Sequence, residues 1–448
     1  MSRLRILVLA PDANPESISV ALVCYRHAAA LAQLHSVTLV GRSSNEVALR
    51  RTEAHFHSIE AISVPWLDRI FAWILRWVFK NNFHSRALTA FFYPFSIAFE
   101  WCAWQRMRPR IIAGEFDIVL RLSPVISVIP SAFPFFLRNC GVPFIIGPIN
   151  GGLPWPKGFS QADNQKAWID NLRKLYRFVP FSRSTYRRAA AIIAGSSQTY
   201  AEFSGYREKL FFVPENGLSP SLCSGAPHRR EGDGKLELIF LGALVPFKAC
   251  DLALRAAVPL LRSDSAHFAV VGDGPERSRL EQLTKSLGIE GSVSFCGMLS
   301  HAEAMQRLRA SDVMVYPSVR EFGGGVVFEG LAAGAVPVVA DFGGPGDIVY
   351  PEVGYKVPLT NESDFVAQLE KILTELAHDP DQLDRLRRRG MEYARERLTW
   401  DAKAQDTTKI LEWVLRRGPK PDLRPPKVFA AGFDSSREKA APYVGSPA

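Results

Sequence analysis

The chain has 448 residues, a net charge of +9, and hydrophobic and charged fractions of 47% and 22%. This length is about three times that of a typical domain, which predicts one or two domains with extensions. The composition is that of a globular protein and excludes a wholly disordered or fibrous chain. The positive charge suits nucleic acid, an anionic membrane surface or a phosphorylated substrate, but no basic stripe interleaved with aromatic residues is present, which argues against nucleic acid.

The N-terminal residues and the cysteines indicate a cytoplasmic protein. The opening sequence MSRLRILVLAPDANPES has a short apolar run without a small-residue cleavage site, so it predicts a first strand rather than a secretory signal. The cysteines lack the close pairs of zinc or redox motifs and are expected to be reduced and mostly buried. They are Cys24, Cys102, Cys140, Cys223, Cys250 and Cys296.

Strand and helix patterns alternate through the first half of the chain. A helical pattern at 19–33 follows the first strand, and another is expected near 125–138. This alternation predicts one α/β domain with a parallel sheet over residues 1–217. The expected strands are 5–10, 36–41, 116–122, 142–148 and 190–196.

An aromatic and basic insertion at residues 65–108 interrupts this alternation. It contains five of the nine tryptophans, and charged residues break its apolar runs before they reach the ~20 residues of a membrane-spanning helix. Two interpretations remain open: an amphipathic helical pair on an anionic membrane surface, or a buried helical hairpin of the first domain.

A polar stretch at 218–235 predicts a linker between two domains. The alternation then resumes over residues 236–395, where five short apolar strands separated by helices predict a second doubly wound domain. Ser300 and Glu303 form a capping-box pattern ahead of one of its helices.

Two long helical patterns, at 361–377 and 381–415, end the second half. Residues 396–416 are expected to form a terminal helix that packs back towards the first domain. The Pro-, Gly- and Ser-rich residues 417–448 are expected to be disordered.

A glycine-rich turn in the second domain has the form of an anion site. In PSVREFGGGVVFEGLAAG (317–334) a strand ends, Gly323, Gly324 and Gly325 follow, and a helix begins. Glycines allow close backbone approach, and the free N–H groups at a helix start would hold a pyrophosphate.

Two glutamates flank this turn: Glu321 precedes it, and Glu329 lies about one turn inside the helix. A carboxylate is unfavourable beside phosphate, so both glutamates suit sugar hydroxyls or a developing positive charge. The alternative is a flexible glycine turn with two solvated glutamates.

Three further loops follow strands of the same domain. FLGALVPFKACD (240–251) offers Lys248, a point charge suited to a diphosphate leaving group. VVGDGPER (270–277) lacks the last glycine of a dinucleotide fingerprint and is interpreted as a turn near a base or ribose. FGGPGDIV (342–349) is another glycine turn in the same cleft.

The spacing of Glu321 and Glu329, after PS and before LAAGAVPVVA, resembles the E-x7-E signature of retaining glycosyltransferases of family GT4. FLGALVPFK, VVGDGPE, VSFCGMLS and DVMVYPS occur in the family's order, so the resemblance covers about residues 230–395 strongly and the first half weakly. It implies the GT-B fold, in which two Rossmann-like doubly wound domains face a central cleft.

The resemblance also implies residue roles. Glu321 would contact the donor sugar near the reacting centre, Lys248 would neutralise the departing diphosphate, and Glu329 would bind the ribose hydroxyls. The family retains anomeric configuration and usually needs no metal, so no cofactor is expected beyond the nucleotide-sugar donor. The remaining donor-side candidates are Gly242, Gly272, Gly297, Met298, Arg320, Gly323, Gly324 and Gly325.

This chain departs from the family pattern in two places. Ala243 stands where the family usually has an arginine, so either another cation, with Arg320 as the candidate, compensates or activity is reduced. Asn150, Gly151 and Gly152 occupy the place of the family's histidine and are acceptor-side candidates without a transferable role.

None of the nine histidines stands out as a catalytic candidate. His55 with His57 is interpreted as part of a solvated strand rather than as a metal site.

Together these patterns predict a glycosyltransferase that moves a sugar from a UDP- or GDP-sugar to a hydroxyl of a lipid-linked, polysaccharide or small-molecule acceptor. It would work in the cytoplasm or on the cytoplasmic face of a membrane. Two other hypotheses remain open: a non-catalytic nucleotide-sugar-binding module, indicated by Ala243, and a membrane-surface scaffold that uses residues 65–108.

Overall fold

Two parallel β-sheets, each with its own hydrophobic core, organise the chain. The computed structural model describes residues 3–64, 70, 93–151, 153, 156, 159, 179–224 and 234–425. The fold class predicted from the sequence, two doubly wound α/β domains, is confirmed.

The first sheet has seven parallel strands in the order 3-2-1-4-5-6-7. Its strands are β1 (Arg5–Leu9), β2 (Ser36–Arg42), β3 (Ser58–Ile62), β4 (Ile118–Arg121), β5 (Phe144–Ile149), β6 (Ala191–Ala194) and β7 (Leu210–Phe212). The helices around it are α1 (Val20–Leu34), α2 (Glu46–Arg50), α3 (Tyr93–Ile112), α4 (Phe133–Phe136), α5 (Ser182–Arg188) and α6 (Ser197–Glu202). Its central strands read as unbroken apolar runs because helices cover both faces.

The second sheet has six parallel strands in the order 10-9-8-11-12-13. Its strands are β8 (Leu236–Leu241), β9 (Ala266–Val271), β10 (Val293–Gly297), β11 (Val313–Tyr316), β12 (Val336–Ala340) and β13 (Tyr355–Val357). The helices that follow are α7 (Cys250–Arg262), α8 (Arg277–Ser286), α9 (His301–Arg309), α10 (Gly325–Ala333), α11 (Gly343–Ile348), α12 (Glu362–His378), α13 (Pro380–Arg397) and α14 (Trp400–Val414). The sequence predicted five of these strands and missed β13, which is only three residues long.

The helix expected near 125–138 was predicted too long. The structure has only α4 there, followed by a 3₁₀ turn at Leu137–Asn139. Pro130 and Pro134 lie inside the predicted span, and proline lacks the N–H that a helix interior needs, so the helical residues begin only at Phe133.

The helical pattern at 381–415 forms two helices rather than one. Thr399 has an extended backbone, and its side chain accepts a hydrogen bond from the Ala402 amide at 3.2 Å, so it caps the start of α14. The Ser300 capping box is confirmed, with both reciprocal hydrogen bonds to Glu303 present.

The C-terminal helix α14 packs on α1 of the first domain. His27 and His35 of α1 form hydrogen bonds to Thr407 and Thr408 of α14, at 3.0 and 2.8 Å. Burial lowers the pKa of His27, so this imidazole is neutral in the interface.

Two segments predicted to lack regular structure, the C-terminal tail and the linker, lie partly within the described residues. Residues 417–425 lie within the predicted disordered tail, yet the Leu423 carbonyl accepts a hydrogen bond from the Phe212 amide at 2.7 Å, so this part is ordered along the first sheet. Residues 426–448 and the linker residues 225–233 lie outside the described part.

The described part of the 65–108 insertion is mainly α3, because residues 65–69 and 71–92 lie outside it. The inner face of α3 buries Phe99 and Trp104 in the first-domain core, while Trp101 is 51% exposed. No helix in the described ranges is long and apolar enough to cross a membrane. All six cysteines are free, three of them buried and three half-buried.

Replacing Thr399 with alanine should lower the free energy of unfolding by about 1 kcal/mol, because α14 loses its N-terminal cap. Thr399→Ser keeps a hydroxyl at the same position and should unfold like the wild type. Urea unfolding followed by circular dichroism measures both variants, and equal destabilisation of the two would contradict the capping role.

Candidate active site

The carboxyl ends of the two sheets face each other across a cleft. Several contacts between the domains come from residues that follow strands: the Ser197 amide donates to Asp347 at 2.8 Å, and Arg320 Nε donates to the Leu153 carbonyl at 3.2 Å. In open α/β sheets this edge is where ligands bind. The loops singled out in the second domain therefore line the cleft.

Glu321 and Lys248 meet in this cleft although 73 positions separate them. Lys248 lies in a 3₁₀ turn after β8 and donates to the Glu321 carboxylate and to the Tyr316 hydroxyl. The Tyr316 hydroxyl in turn donates to Glu321 at 3.0 Å. The side chains of Lys248 and Glu321 are 14% and 19% exposed, so this ion pair is largely withdrawn from solvent.

The backbone of Glu321 is held by the glycine turn at the start of α11. The Gly344 amide donates to the Glu321 carbonyl at 3.1 Å, and a Cβ on Gly343, whose φ is +64°, would overlap that same carbonyl. Only glycine fits this approach. The FGGPGDIV turn therefore holds the backbone of Glu321, and through it the position of the carboxylate.

The glycine turn after Glu321 starts α10. Gly324 is the N-cap residue in a left-handed conformation with φ of +58°, and no side chain caps the helix start. Gly323 packs against the Asn216 side chain of the first domain, where a Cβ would overlap the amide group. These glycines thus serve close contacts between the domains and leave the first N–H groups of α10 without a bond from an N-cap side chain.

Glu329 lies on α10 and pairs with a histidine that the sequence did not single out. His301 Nε2 is 3.0 Å from Glu329 Oε1, and the Glu329 side chain is 25% exposed. His301 is the first residue of α9, directly after the Ser300 cap. The pairing orients the Glu329 carboxylate at the rim of the cleft.

Gly242, Gly272 and Gly297 form one hydrogen-bonded group at the ends of β8, β9 and β10. The Gly242 amide donates to Val271 at 3.0 Å, and the Gly272 amide donates to Gly297 at 2.8 Å. A Cβ on Gly272, whose φ is +131°, would overlap the Gly242 carbonyl. Met298 follows this group and is 76% exposed.

Asp273, which would oppose a pyrophosphate, has its own cation. Arg277 Nη1 lies 3.3 Å from the Asp273 carboxylate, and the Gly274 amide also donates to it, at 2.7 Å. The loop 270–277 is therefore not left with an unbalanced negative charge.

The remaining site candidates lie on the first-domain side. Arg320 bonds to the Leu153 backbone across the cleft, as given above, so its role as a compensating cation stays a prediction. The Asn150 amide donates to Val125 at 2.6 Å, and the Gly151 amide donates to the Thr199 hydroxyl at 2.9 Å. Gly152 lies outside the described residues.

His55 and His57 are exposed and precede β3 rather than forming part of it. Across the described ranges no group of three or more His, Cys, Asp or Glu side chains lies close enough together to hold a metal ion.

Sequence reasoning missed Tyr316, His301, Glu215, Lys403 and Asp347. Tyr316 ends β11 within the motif DVMVYPS, so its place at the carboxyl end of a strand was a usable signal. Glu215 stands in VPENGL directly after β7, which is the same kind of position. Lys403 had no such signal, because it lies on a helix distant in sequence from every cleft loop.

Two doubly wound domains facing a cleft, with the uncapped α10 start on one side, define a GT-B architecture. HepE of Anabaena, solved in complex with UDP, superposes with a TM-score of 0.59 over 92% of this chain and 100% of its own, at 16% identity. Residues 227–397 match the family model of glycosyl transferases group 1. The second domain therefore belongs to the group 1 glycosyltransferases.

Two curated relatives each match part of the chain. D-inositol 3-phosphate glycosyltransferase of Thermomonospora curvata is 35% identical over 206 residues, which is 43% of this chain and 46% of the relative. A lipopolysaccharide core biosynthesis glycosyltransferase of Rhizobium meliloti is 33% identical over 143 residues, 30% of this chain and 38% of the relative. The matches thus span less than half of these relatives.

Asp347 gives the contact between the domains a pH dependence. Burial raises the pKa of Asp347 to about 6, although hydrogen bonds from Ser197 and the charge of Lys356 oppose that rise. A raised carboxyl pKa means that the folded state binds the proton more tightly than the unfolded state. The carboxyl group therefore costs stability as the pH rises from about 4 to about 6.

Replacing Asp347 with asparagine should stabilise the protein at pH 7.5, because the amide oxygen still accepts from the Ser197 amide and the buried charge is gone. The gain in free energy of unfolding should be on the order of 2 kcal/mol at pH 7.5 and should shrink towards zero near pH 4. Unfolding measured across this pH range tests the prediction. A gain independent of pH would contradict the assigned cause.

Proposed function

We propose that the chain is a retaining glycosyltransferase that transfers a sugar from a nucleotide-diphosphate sugar to a hydroxyl acceptor. The observation that carries the proposal is the Lys248–Glu321 ion pair, which lies beside the uncapped start of α10 in the cleft. A cation, a carboxylate and free helix N–H groups are the parts that sugar transfer from a diphosphate requires. The match of the second domain to the group 1 family supports the same proposed function.

The donor would lie across the carboxyl edge of the second sheet. The Gly242–Gly272–Gly297 group leaves space for the base and ribose, and Glu329 would accept hydrogen bonds from the ribose hydroxyls. We propose a UDP-sugar as the first donor to test, because HepE was solved with UDP. GDP-sugars remain the second choice.

Transfer would break the bond between the anomeric carbon and the diphosphate oxygen, whose electron pair stays on the leaving diphosphate. An acceptor hydroxyl would form the new bond from the same face, and its proton would pass to the leaving phosphate oxygen. Glu321 would stabilise the positive charge that develops at the sugar, and Lys248 would stabilise the negative charge on the diphosphate. We propose that these residues and the helix N–H groups suffice without a metal ion.

Lys248 must serve two partners in this scheme. In the structure it contacts Glu321 and Tyr316, and burial raises the pKa of Tyr316, so this phenol stays neutral and donates. Because the Tyr316 hydroxyl donates a hydrogen bond to Glu321, the carboxylate stays in place when Lys248 turns towards the diphosphate. Tyr316 would therefore hold Glu321 and leave Lys248 available to the diphosphate, where Ala243 supplies no cation.

UDP should raise the unfolding temperature selectively over GDP and ADP, since a ligand at hundredfold excess over its Kd stabilises the folded state by about 2.7 kcal/mol. Glu329→Ala should remove that shift, because the ribose loses its carboxylate. Glu375→Ala is the matched control, because Glu375 is an exposed residue of α12, which carries no donor-side candidate.

Glu321→Gln separates binding from chemistry in the same panel. It should keep the shift with UDP and lose at least a hundredfold of sugar transfer or UDP release. Unchanged activity would favour a non-catalytic nucleotide-sugar-binding module. Failure of every nucleotide to shift the unfolding temperature would contradict the donor site itself.

We also propose that the first domain rests on an anionic membrane surface, which would suit a lipid-linked or polysaccharide acceptor. The relative from Rhizobium meliloti acts in lipopolysaccharide core biosynthesis, as its name states. An aromatic–basic patch supports the proposal: Trp101 and Phe135 are 51% and 38% exposed, and the Arg138 guanidinium lies 4.4 Å over the Phe135 ring. Exposed Arg183 and Arg187 lie on the neighbouring α5.

The wild type should co-sediment with phosphatidylglycerol vesicles more than with phosphatidylcholine vesicles. The double substitution Trp101→Gln and Arg138→Gln should abolish that preference, because it removes both the indole anchor and the cation. Arg255→Gln, an exposed position on α7 of the second domain, controls for the loss of one charge. Equal sedimentation of the double variant and the control would contradict the patch.

A further inference from the structure

Two buried charged residues outside the predicted site lie where the domains meet. Glu215 follows β7 in the first domain and is 7% exposed, and Lys403 lies on α14 and is 5% exposed. The Lys403 ammonium group donates to the Glu215 carbonyl, and the Asn150 side chain hydrogen-bonds the Glu215 carboxylate. Neither charge has a role in the scheme given above.

The chain crosses between the domains at this point. The Leu218 amide donates to the Leu398 carbonyl at 2.8 Å, and the Trp400 amide donates to the Leu218 carbonyl at 2.9 Å. Gly217 lies so close to the Trp400 ring that a Cβ would be 2.8 Å from it. Glu215 is therefore held at the junction of the two crossing segments rather than on a free loop.

The same segment touches the donor side of the cleft. Asn216 lies against Gly323 and Gly325, and a Cβ on Gly323 would be 3.7 Å from the Glu215 carboxylate. The Gly195 position of the first domain likewise meets the Phe322 ring, at 3.5 Å. The turn that carries Glu321 thus lies directly on the segment that Lys403 holds.

Several neighbouring groups shift the pKa values of Glu215 and Lys403 in opposite directions. Burial raises the pKa of Glu215, the charge of Glu321 adds to that rise, and Lys403 and Asn150 oppose it. Burial lowers the pKa of Lys403, and the charge of Glu215 opposes that change. His27, which Lys403 also faces, is neutral. Two opposite charges buried near each other add little net stability, but loss of one leaves the other uncompensated.

We infer that Glu215 and Lys403 are positioning residues that hold the glycine turn, and with it Glu321, in place from the first-domain side. This inference rests on the proposed function. Lys403 fixes the Glu215 backbone, and its positive charge balances the Glu215 carboxylate. Glu321 therefore does not face an uncompensated negative charge from Glu215. Turnover then depends on the docking of α14, although Lys403 itself touches no donor-side residue.

The test compares Lys403→Met, Glu215→Gln and the double variant in two measurements: the Kd for UDP, and UDP release with water as acceptor. The donor is whichever of UDP-glucose, UDP-galactose and UDP-N-acetylglucosamine the wild type hydrolyses fastest. Lys403→Met should lower turnover 10- to 100-fold while the Kd for UDP stays within about twofold, because a displacement of about 1 Å in the site can cost 10²-fold in rate.

The double variant should recover at least half of the logarithmic loss of Lys403→Met, since it removes both charges of the pair. Arg387→Met is the matched control: it removes the cation of another buried ion pair, with Asp312 at 2.6 Å, whose two side chains are 1% and 2% exposed. It should lower the unfolding temperature and leave turnover per folded molecule unchanged, which separates positioning from stability.

The outcomes are distinct. Wild-type protein that neither binds UDP nor releases it from any of the three donors would contradict the proposed function, and this inference with it. An active wild type with equally active Lys403→Met and Glu215→Gln would contradict the inference alone. If Lys403→Met fails to fold, the near-isosteric Glu215→Gln is measured in its place. A Kd for UDP that rises by the same factor as turnover falls would also contradict the positioning role.

Discussion

The relative placement of the two domains depends on a short backbone pairing between the crossing segments. Leu218 exchanges hydrogen bonds with Leu398 and Trp400, so the chain entering the second domain and the chain leaving it are joined side by side. This pairing, together with the cap of α14 by Thr399, directs the last helix onto α1. The carboxyl ends of both sheets then face one cleft, and the contact of the glycine turn after Glu321 with Asn216 of the first domain follows from that arrangement.

Because the two domains approach so closely, glycine is required at positions that a donor-binding argument alone does not explain. Gly323 admits Asn216 of the first domain, and Gly343 admits the Leu153 side chain of the first domain as well as the carbonyl of Glu321. The same residues that expose N–H groups to a ligand therefore also let the domains close. A side chain at either position would open the cleft before it blocked a donor.

The sequence predicted the parts of the fold that local patterns encode, namely apolar strands, capped helices and glycine turns. It also predicted that Glu321 and Lys248 belong to one site, through a family resemblance, and the structure brings these two into contact. It could not predict Lys403 beside Glu215, because that contact joins residues 188 positions apart and depends on how α14 docks. The helix near 125–138 was predicted too long because hydrophobic periodicity was weighed above the prolines within it.

The cleft gives each of its glutamates a separate basic partner. Glu321 has Lys248, Glu329 has His301, and Glu215 has Lys403. Neighbouring carboxylates raise one another's pKa, and burial together with the charge of Glu321 raises the pKa of Glu215. Lys248 and Tyr316 hold the Glu321 carboxylate from within the second domain, and these contacts do not involve Ala243. The carboxylate side of the site is thus independent of Ala243, where the sequence differs from the family pattern that it resembles.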